Sequence, residues 1–424
     1  MTAVTAAPSK KPRLLNNWLI LFLIAMILAN IGGNMYGPLT PLYLQDLNAT
    51  VAQVGLFFTL SRVIPLALQI VGGYISDSLG RLRAIAMGSV AGVFAYVALF
   101  LAPTWQWVIV AATFSAITGS LIGPSFDAFI AEHSEEHNRA RVYAISQTIF
   151  GIVMVVGPVM GGWLVDARGF KFMIFIAALF YLAATVLRIF MAREASKGSE
   201  SQPKKLSFSG LKTNLGSMLA LLTAGGVVTW ILITDSVRDM SFNLSFDLLP
   251  IYMRDFFEMT TTQIGWVNSI FGLFMMLFMY PAGILSDKKG ERVGISLGFF
   301  LMFVSISMLA LLPNLGFWGA AAGWAIAGTG VGLLTPPYQS LISKAVPRRL
   351  RGVAFGLFST SVGLLSLPAP YVGAMLWENF DPRLPFAITA VVCLLSIIPV
   401  WLKFKIDRPV EDDEPLPEST FLEA

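Results

Sequence analysis

The sequence predicts an all-α integral membrane protein of twelve transmembrane helices in two pseudo-symmetric six-helix bundles, and three observations predict it. Hydrophobic residues make up 56% of the 424-residue chain and charged residues 13%, about half the charged share of an average soluble domain, and the mean hydropathy is +0.71. Apolar runs of the length that a bilayer core requires recur near 18–44, 52–76, 84–102, 106–131, 142–165 and 171–190, and again near 225–250, 262–286, 293–313, 318–343, 352–376 and 384–403. The chain also repeats itself. Gly73-Tyr-Ile-Ser-Asp77-Ser-Leu-Gly80-Arg81 returns as Gly283-Ile-Leu-Ser-Asp287-Lys-Lys-Gly290-Glu291, a displacement of 210 residues (73 to 283), and Gln53 and Gly55 return as Gln263 and Gly265. Two related halves suggest a machine whose halves rock against each other.

Taken in order, the elements support this division. Residues 1–17 are polar and basic, and no small-residue cleavage site follows the first apolar run, which reads as a retained helix. That run ends in Pro41-Leu-Tyr43-Leu, as the seventh ends in Pro250-Ile-Tyr252-Met. The second and eighth runs end in the repeated loop segment. Pro124 in the fourth run has a counterpart in Pro336 of the tenth, and Arg139-Ala-Arg141 before the fifth has one in Arg349-Leu-Arg351 before the eleventh. The expected units are a first bundle at 1–190, a cytoplasmic linker at 191–217 with Lys197, Lys204, Lys205 and Lys212, a second bundle at 218–405, and a disordered acidic tail at 406–424. Of the 29 Lys and Arg, only Arg168, Lys171, Arg254 and Arg383 fall in outer loops and only Arg62 and Arg238 lie inside helices, which sets both termini in the cytoplasm of a cell with the chain in its inner (plasma) membrane. The net charge of +4 therefore reflects topology rather than nucleic-acid binding. The lone Cys393 excludes an internal disulfide framework and reads as a packing residue.

The seventh run is the most unusual. It carries Asp235, Arg238, Asp239, Asn243 and Asp247, which share one face with Phe242 and Phe246 at about 100° per residue. Aligning Pro250 with Pro41 sets Asp239 against Asn30 and Asn243 against Asn34, so Asp235 and Asp239 are expected near the midplane. A charge there costs about 3 kcal/mol or more and faces a partner or a water-filled cavity. Arg62, mid-way along the second run, is expected to pair with Asp235 or Asp239. Such a pair is either a fixed bridge or an exchange site. Burial favours the neutral carboxyl and a neighbouring Arg the charged one, so rearranging the two alters proton affinity. Asn30 and Asn34 serve either as cavity lining or as helix-to-helix bonds. His133 and His137 share a solvated loop, and no metal centre is expected.

The loop segments resemble the major facilitator superfamily, whose signature between the second and third helices is roughly Gly-x-x-x-Asp-(Arg/Lys)-x-Gly-Arg-(Arg/Lys). Gly73, Asp77, Gly80 and Arg81 match, while Ser78 and Leu82 depart; the second copy keeps Gly283, Asp287, Lys288 and Gly290 but has Glu291 where Arg is usual. Gly157-Pro158-Val-Met-Gly161-Gly162 in the fifth run is similar to the Gly-Pro-x-x-Gly-Gly core of the proton-coupled drug antiporters of that superfamily, although Thr148 and Val153 stand where upstream glycines would fall. The resemblance implies the major facilitator fold, most like the 12-helix multidrug antiporters, and a cytoplasmic gate at the loop motif. The residues themselves allow such a gate: Asp at a helix end can accept N–H groups from a neighbouring helix start, and Arg81 and Arg83 can pair with Glu132. The plainer reading is a basic turn that fixes topology alone.

The function expected is secondary transport by alternating access: proton-coupled export of a hydrophobic or cationic small molecule. The rival transport reading is uptake or exchange of an anionic organic solute held by Arg62 and Arg238. Asp235 and Asp239 balance those two bases, and Asp247 tips the count only if it faces inward. A rival from another class is a non-transporting membrane sensor or assembly factor that uses the linker and tail. No phosphate-binding loop, nucleophile–base cluster or zinc-protease element occurs, so an enzyme is not expected. The partners expected are substrate, protons and lipid, for a monomer with no cofactor.

Overall fold

The computed structural model describes residues 17–79, 81–134, 138–196, 226–312, 316–345 and 363–404. Its helices are α1 (Asn17–Tyr36), α2 (Thr40–Asp46), α3 (Val51–Leu79), α4 (Arg81–Leu101), α5 (Trp105–His133), α6 (Arg139–Arg168) and α7 (Phe170–Ser196) in the first half. The second half holds α8 (Gly226–Ser245), α9 (Leu249–Phe257), α10 (Thr261–Lys289), α11 (Glu291–Leu311), α12 (Gly316–Ala345), α13 (Ala369–Asn379) and α14 (Leu384–Lys403). The described parts of the twelve apolar runs are almost entirely helical. The chain is all-α, and nine segments among the described residues are long and apolar enough to cross a membrane. Helix α7 continues to Ser196, six residues into the stretch assigned to the linker; the remainder of the linker, the tail after Phe404, Arg349 and Arg351 lie outside the described residues.

The first and seventh runs break alike. A 3-10 turn at Gly37–Leu39 separates α1 from α2, and one at Phe246–Leu248 separates α8 from α9. Pro38, Pro41 and Pro250 stand at the first positions of these short helical pieces, where the missing N–H costs nothing. The recurrence of Gln53 and Gln263 also has a local cause. Thr260 and Gln263 form a reciprocal capping box at the start of α10, Gln263 Oε1 accepting from Thr260 N at 2.9 Å. Thr50 and Gln53 repeat it at the start of α3, at 3.0 and 3.3 Å.

Packing repeats as well. In the first half α1 lies on α6 and α7, and α5 lies on α3 and α4; in the second α8 lies on α13 and α14, and α12 lies on α10 and α11. The halves meet along α6 with α10 and along α3 with α13. A buried core runs through both halves around Tyr43, Tyr252, Ile264 and Phe299, whereas a separate cluster of Leu19, Phe22, Ile85 and Phe129 fills the inner end of the first half. Arg188, which topology places at the inner end of its helix, is 1% exposed within this half, donating to Ser89 Oγ at 2.9 Å and contacting Met26 Sδ. Phe94, Trp163, Val186 and Leu402 are each more than half exposed. So much bare apolar surface suits a lipid solvent, and the chain is a multi-pass membrane protein.

Candidate functional site

Outer here denotes the face that the Lys and Arg distribution assigns to the exterior. Arg62 does not reach Asp235 or Asp239 as the sequence led us to expect. Its Nη2 donates to Asp247 Oδ2 at 2.7 Å, from α3 of one half to the 3-10 turn of the other. The reason is depth. Arg62 lies about 16 Å below the outer end of α3 and Asp247 about 15 Å below the end of α9, while Asp239 is roughly 12 Å deeper still, at 1.5 Å per residue. Both partners are mostly buried, with side-chain exposures of 31% and 17%.

The deeper acids stay within the second half. Asp235 pairs with Arg238 one turn on, at 2.5 Å, and the Arg238 guanidinium lies over the Tyr338 ring, 5.3 Å from its centre. Asp239 Oδ2 accepts from Asn243 Nδ2 at 3.3 Å and from Ser366 Oγ at 3.2 Å. Asn30 and Asn34 turn back on their own helix, donating to Met26 O and Asn30 O at 2.8 and 2.9 Å.

Two cavities flank this region. One of about 110 Å³ lies where the halves meet, lined by Pro38, Phe58, Asp247, Asn268 and Trp324 among others. Asp247 therefore faces inward, and the charge balance tips to acid. The other is about 650 Å³, and among the described residues its lining comes from the first half, including Tyr36, Phe57, Phe58, Ser61, Ser115 and Gly119.

The outer ends are held together by contacts that sequence reading missed. Asp166, at the end of α6, accepts from Thr261 N at 3.1 Å and Thr262 N at 2.7 Å, the first N–H groups of α10. Glu378, on α13, accepts from Ala52 N at the start of α3 at 2.8 Å. Each half thus supplies one carboxylate to a helix N-terminus of the other, where unpaired donors and the helix dipole favour an anion. Arg254 Nη2 adds a bond to Gln45 Oε1 at 2.6 Å. The helix-five motif serves the same closure. A Cβ at Gly157 or Gly161 would collide with Asn34 or the Met35 carbonyl, and one at Gly162 with the Thr261 carbonyl; the Pro158 carbonyl in turn fills the space beside Gly265. These glycines let backbones touch where α1, α6 and α10 converge.

At the inner face, Arg81 Nε pairs with Glu132 Oε1 at 3.3 Å, the pairing the sequence suggested. The second half holds the equivalent bridge with its charges exchanged: Glu291 Oε1 accepts from Lys344 Nζ at 2.5 Å and from Ser340 Oγ at 2.9 Å. Glu291 thus departs from the loop signature in step with Lys344. Gly290 has φ +85°, a conformation that favours glycine. Asp287 is exposed at the end of α10, and among the described residues nothing crowds Gly283. The side chain of Asp77, the surroundings of Gly73, and Gly80 lie outside the described residues. His133 stacks on Phe129 at 4.0 Å, and His137 is likewise not described. Glu291→Arg is expected to lower the melting temperature measurably, because it sets two cations together. Adding Lys344→Glu should restore it, since the first half already uses that polarity; an exposed bridge of this kind contributes about 1 kcal/mol or less.

The chain matches the family model described as Major Facilitator Superfamily over residues 22–246 and again over residues 231–422. It is 25% identical over 369 residues to the class C tetracycline resistance protein of Escherichia coli, covering 84% of this chain and 89% of that one. It is 23% identical over 387 residues to multidrug resistance protein 1 of Bacillus subtilis strain 168, covering 90% and 95%. Its fold is similar to that of a solved bacterial homologue of the iron transporter ferroportin in an inward-facing state, with a TM-score of 0.76 at 14% identity over 92% of this chain and 99% of the other.

Proposed function

The chain belongs to the major facilitator superfamily and is a membrane transporter, and from that premise we propose that it exports a hydrophobic or cationic small molecule in exchange for protons, by alternating access. The observation that carries this reading is the Arg62–Asp247 pair. It joins the halves at mid-depth beside a cavity, so rocking the halves apart must break it. Once freed, Asp247 has two ways to avoid a bare charge in the membrane: bind a proton or bind a cationic substrate. Two ligands that compete for one carboxylate are exchanged across the membrane rather than carried together. Asp239 is the second proton-binding candidate, held by Asn243 and Ser366 rather than by a base. Asp235 is the third; it shares a turn with Arg238.

The anionic-solute reading is disfavoured by occupancy: Arg62 and Arg238 each already hold a carboxylate. Both curated relatives described above are named for drug resistance, which agrees with efflux. With the termini cytoplasmic, the closed outer face makes this the state that loads substrate from inside.

The test is direct. Purified protein in proteoliposomes, given an imposed pH gradient, should accumulate the lipophilic cation N-methyl-4-phenylpyridinium against its gradient, and Asp239→Asn should lower the rate. No gradient-driven accumulation at either polarity would overturn the reading.

A further inference from the structure

We infer that the transport site is built in two compartments that meet at Phe58: an apolar chamber, its described lining drawn from the first half, that holds the body of the substrate, and the Asp247 cavity that holds its cationic end. The inference deepens the export reading and rests on it. Phe58 lines both cavities, its ring set edge-on to Phe57 at 5.3 Å between centres. Arg62 lies one helical turn beyond Phe58, on the same face of α3. A molecule in the larger chamber therefore touches the ring that also borders the Asp247 cavity, and its cation competes with Arg62 for that carboxylate.

The larger chamber fits an uncharged hydrophobic body. Its 650 Å³ falls in the range of about 300–1,000 Å³ that accommodates drug-sized molecules. Among the described residues its lining carries no charge, only aromatic and aliphatic groups with the hydroxyls of Tyr36, Thr40, Ser61, Ser115 and Ser120. The space arises because α5 presents Ala112, Ala116, Gly119 and Gly123 to it rather than larger side chains. Among the described lining residues an anion finds no base. A hydrophile finds too few partners. A molecule with an apolar body and one positive end satisfies both compartments, and its cation takes the seat that the Arg62 guanidinium occupies in this state.

Two probes of one shape separate the compartments: N-methyl-4-phenylpyridinium and its uncharged isostere 4-methylbiphenyl. Binding is measured to full-length protein in lipid nanodiscs, with empty nanodiscs as reference. Among the described residues a Cβ at Gly119 or Gly123 meets nothing within 4 Å, so Gly119→Leu and Gly123→Leu are expected to fold with unchanged elution and melting. Each should weaken both probes about tenfold by filling the chamber. Asp247→Asn should remove the preference for the cation and leave the neutral probe bound. Both leucine variants binding both probes as wild type does would overturn the chamber, while cation loss in Asp247→Asn would leave the export reading standing. Full cation preference in Asp247→Asn would overturn the two-compartment site. Failure of the export reading is read separately, as absence of gradient-driven transport by the wild-type protein.

Discussion

Asp247→Asn is expected to abolish pH-gradient-driven accumulation of N-methyl-4-phenylpyridinium in proteoliposomes while the protein still folds. Asparagine keeps the size of the side chain and can still accept a hydrogen bond from Arg62, so the halves close as before. It cannot bind a proton or offset a cation. Losing one member of a desolvated charge pair costs about 2 kcal/mol or more, roughly 30-fold in affinity, and exchange without a titrating group stops altogether. Arg62→Ala tests the same pair from the other side. It removes the internal competitor, so the cation should bind more tightly, yet turnover should fall because nothing resets Asp247 after release. Arg62→Lys, which keeps the competing charge, should lie between them. Wild-type exchange by Asp247→Asn would sink the assignment and shift attention to Asp239 or Asp235.

The choice of Asp247 shows where reading the sequence succeeded and where physics intervened. The duplication was legible because it is written in residue identity, and the structure gives its causes: matched capping boxes at Thr50–Gln53 and Thr260–Gln263, and matched breaks at Gly37–Leu39 and Phe246–Leu248. The charged face of the seventh run was legible as an anomaly. Its pairing was not, because angular position along one helix does not give depth relative to a second, and depth is what matches Arg62 to Asp247. Glu291 stands in the sequence where the loop signature has Arg. Its complement, Lys344, is a full helical hairpin away in the chain, and only the fold sets the two together. Asn30 and Asn34 spend their donors on the backbone of the first helix, an option that short amide side chains always have. In the sequence nothing in their immediate neighbours sets Asp166 and Glu378 apart from other acids near helix ends. The signal that finds them is their spacing, close to that of the repeat, coupled to two helix starts that lack an acidic first turn of their own.

Those two carboxylates set the second large effect. Removing both, as Asp166→Ala with Glu378→Ala, is expected to unlatch the outer face. Each accepts from the backbone at the start of a helix in the opposite half, so neither contributes to the fold of its own half, and both bonds are lost together when the halves part. A cap of this kind contributes about 1 kcal/mol, and two acting on one equilibrium shift it by roughly 30-fold. The reporter is Thr40→Cys, a position 6% exposed in this closed state that lines the first-half chamber. Background is low because the one native cysteine, Cys393, is fully buried. A membrane-impermeant maleimide added from outside should label Thr40→Cys slowly in the otherwise wild-type protein, faster with either single latch removed, and at least about fivefold faster with both. Pseudo-symmetry makes a further demand: the two single variants should have effects of the same sign, and their combined effect should approach the product, because the latches act at separate junctions on the same motion. Unchanged labelling in the double variant would mean that backbone contacts at Gly157, Gly161 and Gly162 close the outer face without help from charge.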